Sequence, residues 1–399
     1  MFVNCSVSFG LWFGGVWSPA RKAAIIVIVP LKTLIKKPRR IDELDLLRGS
    51  YIVTIIIDHL QRWPSPLMFV TGEGRLWASA AQGFFIISGL LIGYIRGYKS
   101  REQPLKTVAT KLWKRAATLY VWSVLITVIV VGLTKWLPVQ DMALIPEYPE
   151  ASNFWSFVWS VINQSYTSDW IYFLRLYWIM LFVSPAVVWL LRRGKAGLVV
   201  ILSILMYLVT IKMSEPEAAM QWQILFFIPA VLGYYMEPIL DWLREHRVVW
   251  RILAGTLITA SLVTFCISFY WVHGWTYQFT LKYVDFDSYV QTRQWLDWWF
   301  TNDPLGPGRV LLGFLWFGGS LAAVHFMRRW LTRWLGWMLF TFGRASLSAY
   351  ILQAVVLCLV QPFVPLSLSP YYNFALAIVV LLAVWGLLRV PFLRRILPV

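Results

Sequence analysis

Residues 44–60 read Leu44-Asp-Leu-Leu-Arg48-Gly-Ser-Tyr-Ile-Val-Thr-Ile-Ile-Ile-Asp58-His59-Leu60, a largely apolar run with charge at both ends. Read as a helix, it puts Arg48 and His59, eleven positions apart, within about 20° of one face and about 16.5 Å apart along the axis. Asp58 points about 100° away from His59. It orients the imidazole only if the helix unwinds, and pairing with Arg62 one turn on is equally open. Ionisable side chains inside a membrane helix are costly, so they are rare and usually functional. For His59 the alternative is a neutral, hydrogen-bonded packing residue.

The surrounding chain has the composition of a membrane protein. Of 399 residues, 59% are hydrophobic and 17% aromatic, and only 14% are charged, against roughly a quarter in soluble domains. That excludes a soluble globular protein. Apolar runs predict an all-α, polytopic integral membrane protein with about ten transmembrane helices, near 46–63, 79–98, 113–136, 171–191, 196–212, 222–240, 250–272, 309–327, 345–364 and 372–391. Residues 1–39, broken by Pro19, Arg21, Lys22 and Pro30, form an N-terminal extension, interfacial or not native, ahead of a single transmembrane domain over 40–399. The widely spaced Cys5, Cys266 and Cys358 predict no disulfide framework and no metal site.

Across ten spans, 26 Lys and Arg fall on one side and eight on the other. The positive-inside rule then places both termini in the cytoplasm. The formal charge of +17 is therefore read as topology, and no nucleic-acid partner is expected. The outer side holds two long connections, 137–170 and 273–308. In the second, Trp275 and Trp298 are candidates to stack on a sugar ring, and Asp285 and Asp287 to accept its hydroxyl hydrogens. The same aromatics also suit an interfacial belt.

Arg40-Ile-Asp-Glu-Leu-Asp-Leu-Leu-Arg48-Gly49, with His59 following, resembles the opening signature of the acyltransferase family 3 membrane enzymes. Gln82-Gly-Phe84-Phe85-Ile-Ile-Ser88-Gly89-Leu-Leu-Ile92 resembles that family's second-helix motif of paired phenylalanines before Ser-Gly. Asp58–His59 and Phe342-Gly-Arg-Ala-Ser-Leu-Ser-Ala-Tyr350 are similar to the related OpgC-type glucan succinyltransferases. The resemblance implies transfer of an acetyl, succinyl or similar group from cytosolic acyl-CoA to a hydroxyl of a carbohydrate or glycan outside a bacterial inner membrane. It implies His59 as general base, assisted by Asp58, and Arg48 as a residue needed near the donor. Arg48 could also fix the helix mouth through Asp45.

Ser88, Lys111, Lys114 and Arg115 are the further candidates for the coenzyme A side. For Ser88 the alternative is close helix packing, and for the basic residues it is charge facing anionic lipid. Two departures from the family pattern stand out. The run entering the third helix is Lys111-Leu-Trp-Lys114-Arg115 without a following proline, and Gln353 stands near where several relatives place a histidine. His246, His273 and His325 lie at loops or helix ends and read as non-catalytic. A proton-coupled transporter of a small solute or lipid-linked sugar also fits an intramembrane His with Asp and Arg, although inverted repeats are lacking. A polyprenyl-phosphate-dependent glycosyltransferase is the third reading.

Overall fold

The computed structural model describes residues 41–137, 153–278, 280 and 282–398. The N-terminal extension and residues 138–152 of the expected 137–170 connection lie outside them. The described chain is all-helical: α1 (Asp42–Leu60), α2 (Met68–Thr71), α3 (Ala80–Leu91), α4 (Leu105–Trp136), α5 (Phe154–Ile162), α6 (Tyr172–Arg192), α7 (Ala196–Ile211), α8 (Ala218–Trp222) and α9 (Ile224–Tyr234). There follow α10 (Met236–Glu245), α11 (Arg247–His273), α12 (Phe286–Phe300), α13 (Pro307–Trp334), α14 (Gly336–Arg344), α15 (Ser346–Val360), α16 (Pro370–Leu387) and α17 (Pro391–Ile396). A π-helical stretch, Ile92–Lys99, prolongs α3.

Six of these helices are long and apolar enough to cross a membrane, and up to eight spans result if each of two bent pairs counts as one. The expected count of ten is therefore not reached on length and composition. The two shortfalls are α1, which carries five charged residues in 19, and α7, which has 16 residues. One bend revises an expected continuous span, 222–240; the other precedes the expected span 345–364. The chain turns by 63° between α9 and α10 and by 96° between α14 and α15. Both turns lie beside charge: Glu237, opening α10, pairs with Lys99 at 2.8 Å, and Arg344, closing α14, lies 3.6 Å from Asp45.

Helix α1 is the axis of the core. It packs on α3, α13, α14 and α15, and buries Leu46, Leu47, Ile52, Ile56 and Leu60. Small residues let its backbone approach its neighbours. A Cβ on Gly49 would strike the Leu339 carbonyl of α14, and one on Gly343 the Asp45 carbonyl of α1. The α3–α9 crossing repeats the device, with Gly89 against the Phe226 carbonyl and Gly233 against that of Leu90, as expected where helices associate in lipid through close packing. By contrast, α11 leans chiefly on α13, with only 11% of its apolar window buried.

At the end taken as cytoplasmic, Arg192 holds the π-helical segment by donating to the carbonyls of Ser100 (2.6 Å), Gln103 (2.8 Å) and Arg96 (3.1 Å). Hydrogen bonds from a charged donor contribute about 1.5–3 kcal/mol. Arg192→Ala is therefore expected to lower stability by about that much, read as a reduced midpoint of thermal unfolding in detergent. Arg192→Lys should recover only part, because an ammonium lacks the planar fork that reaches several carbonyls.

Candidate active site

Helical periodicity puts Arg48, Ile52, Ile55 and His59 on one side of α1, and the structure closes that side with aromatic rings. Ile52 and Ile55 meet Phe84, Phe85, Phe173, Tyr177, Leu347 and Tyr350 around a void of only about 10 Å³, about the space of one water. The rings interlock: Phe85 lies 5.3 Å from Phe173 and 5.4 Å from Trp222, and Phe173 lies 6.3 Å from Tyr350 between centroids. The paired phenylalanines of the α3 motif thus form the wall opposite the Arg48–His59 face. A thioester arm reaches His59 along this face only if the rings move.

His59 is held from α15. The side-chain nitrogen of the fully buried Gln353 lies 2.8 Å from His59 Nδ1 and donates to the Trp170 carbonyl at 3.2 Å. The Tyr350 ring is 6.2 Å from the imidazole. The Trp170 carbonyl can only accept, so it fixes which end of the Gln353 amide faces it. The second hydrogen of that NH2 then points to Nδ1, which accepts, and the neutral imidazole carries its proton on Nε2. Nitrogen NMR of selectively labelled protein is expected to find the Nε2–H tautomer for His59, assigned among four histidines by His59→Gln. In Gln353→Leu the tautomers should mix.

Asp58 turns to a different set of partners. Its carboxylate is hydrogen-bonded by Thr71 and lies near Glu73, and its Cβ abuts Gly74. Gln353, not Asp58, therefore occupies His59 Nδ1. Asp45, considered as a partner for Arg48, lies by Arg344. Arg62 donates to Gln361 Oε1 at 2.8 Å and the Val364 carbonyl at 2.7 Å, tying the end of α1 to the chain after α15.

The coenzyme A candidates separate. The hydroxyl of buried Ser88 donates to the Phe84 carbonyl at 2.9 Å within α3, beside the Gly89 crossing. Lys111, Lys114 and Arg115 are exposed on the first turns of α4. Lys111 reaches Gln103 at 3.2 Å, and Arg115 is close enough to Arg96 for the two to repel.

On the other side, Trp275 packs 4.7 Å from Phe286 and 6.2 Å from Tyr289, and the exposed Trp298 meets Trp299 edge-on at 5.0 Å. Asp285 caps α12, accepting from the Ser288 N–H at 3.0 Å, which holds its carboxyl below the usual range. Asp287 is exposed in the first turn. Among the described residues no hydrogen bond or ring contact joins these four to α1, and no group of three or more His, Cys, Asp or Glu could hold a metal ion.

Sequence reasoning missed one buried cluster. Glu73 accepts from the Tyr277 hydroxyl at 2.7 Å and lies 3.9 Å from His273 Nδ1, while His273 Nε2 contacts the Gly72 carbonyl at 3.0 Å. Burial and the Glu73 carboxylate push the Tyr277 phenol up, so it stays protonated as a donor. The only local signal was Gly72-Glu73-Gly74, whose three residues all take positive φ.

A family model described as OpgC protein matches residues 39–393 of the 399. The chain belongs to the OpgC family. As an OpgC-family protein it is a membrane-embedded member of an acyltransferase family, in agreement with the resemblance of its α1, α3 and α14–α15 motifs. No curated protein and no solved structure matches this OpgC-family chain.

Proposed function

We propose that the protein is an integral membrane O-acyltransferase of a bacterial inner membrane, moving an acetyl, succinyl or similar group from cytosolic acyl-CoA to a hydroxyl of an extracytoplasmic carbohydrate or glycan. Residues 40–399 would act as one domain crossing ten times, both termini cytoplasmic, with α1 and α7 completing the eight spans that length and apolarity support. The observation that carries the reading is the α1 face with Arg48 at one end and His59, bonded by Gln353, at the other.

The acceptor oxygen attacks the thioester carbonyl carbon, the C–S bond breaks, and the hydroxyl proton ends on the departing sulfur as free coenzyme A. Arg48, with Lys111, Lys114 and Arg115 on the same side, attracts the donor's phosphates. His59 acts as general base through Nδ1, the nitrogen without a proton: once the Gln353 amide swings off it, Nδ1 takes the hydroxyl proton and passes it to the departing sulfur. Asp58 acts at a distance, holding the end of α1 through Thr71. Ser88 sets the α3 wall, and Trp275, Trp298, Asp285 and Asp287 offer stacking faces and acceptors to the glycan.

The test incubates purified protein with a panel of acyl-CoA donors, with and without an envelope glycan fraction, following coenzyme A release and the mass of the acylated glycan. Glycan-dependent release with one donor supports the reading. No turnover with any donor, joined to proton-driven solute counterflow in vesicles, would instead establish a transporter.

A further inference from the structure

A second cavity, of about 420 Å³, lies on the side of α1 that carries Tyr51 and Thr54, walled by α3, α11 and α13. Its α13 wall runs from Gly313 to Leu331, 18 residues or roughly 27 Å, close to the roughly 30 Å of a bilayer's hydrocarbon core. The lining therefore extends along most of the depth of the hydrocarbon core. Its rim includes Leu262, half-way along α11 and 61% exposed, and Met327 of α13. The slot therefore opens sideways into lipid tails.

The wall offers little to a polar ligand. Six of its seven hydroxyls are engaged within the protein: Ser50 with the Leu46 carbonyl, Ser79 with Gln82, Ser261 with the Leu315 carbonyl, Tyr51 with Ser320 and Thr71 with Asp58, which leaves Thr54. Among the described residues, none of the buried side-chain polar atoms lacking a hydrogen bond belongs to this wall. Water needs two to four polar partners to settle in a cavity, and a sugar or phosphate needs more. Leaving such a volume empty forfeits the packing of every side chain around it. A hydrocarbon chain restores that packing and needs no hydrogen bond.

We infer that the slot binds an acyl chain of a bilayer phospholipid, running parallel to α1 with its headgroup at the membrane surface. The chain wedges the sparsely packed α11 against α1 and α13, so this lipid is part of the fold.

The test reconstitutes the full chain in phospholipid nanodiscs containing a phospholipid with a diazirine near the end of one acyl chain, and maps photoadducts. Adducts on Tyr51 or Thr54, at the floor of the slot, are expected. They should fall at least tenfold in Ala323→Phe, which fills the slot, while adducts on Leu262 persist. Because that variant could misfold, the wild type is also competed with unlabelled phospholipid, which should remove the floor adducts, and with polyprenyl phosphate, which should remove them no more effectively. Adducts confined to the lipid-facing sides of α11 and α13, or preferential loss to polyprenyl phosphate, would overturn the assignment.

Discussion

His59→Ala is expected to lower glycan-dependent coenzyme A release by a factor on the order of 10²–10⁴, the range typical of a positioned general acid or base. The loss should appear in kcat more than in KM, because His59 would meet the reacting atoms while Arg48 and the α4 cations attract the donor. The substitution also removes the partner of one Gln353 N–H hydrogen, which costs about 1–3 kcal/mol of stability if it stays unpaired. Thermal unfolding of the same preparation separates the two effects. Intact thermal unfolding with normal turnover in His59→Ala would end the role assigned to His59.

The second large effect is structural. Gly343→Leu is expected to prevent assembly of α14 on α1, because even a Cβ at this position would meet the Asp45 carbonyl, and neither backbone can yield without parting the helices. Gly343→Ala places the same Cβ against that carbonyl and is expected to cost at least about 3 kcal/mol, the top of the usual range for overpacking. Gly255→Ala is the control: on α11 nothing lies within 4 Å of the added carbon, and alanine favours a helix over glycine by about 1 kcal/mol. Yield of monodisperse protein and its unfolding midpoint should rank Gly255→Ala at or above wild type, then Gly343→Ala, with Gly343→Leu absent.

What could be read in advance followed the helical period. Arg48 and His59 share a side of α1 because eleven residues make nearly three whole turns, and composition alone was enough for a helical membrane protein. Gln353 was visible as a departure from a family motif, but its bond to His59 was not, since it joins residues 294 apart. The partners of Asp58 were hidden for a different reason. They come from a left-handed turn at 72–74 that folds back on α1, a geometry no apolar periodicity encodes. Counting spans by hydropathy also treated 222–240 as continuous, whereas the charged contact at Glu237 sits where the chain bends.

The packing of α1 has a consequence for the chain during its synthesis. This helix leaves the ribosome well before its partners: its end is tied to Gln361, 299 residues after Arg62, and its small-residue seat on α14 is completed only at Gly343. At about 5–20 residues per second, that interval lasts roughly 15–60 s. Throughout it the five charges of α1 stand without the late helices that shelter them. A nascent or truncated chain ending before Gln353 therefore holds His59 without its partner, and the protein becomes competent only once Gln353 and Gln361 have been made.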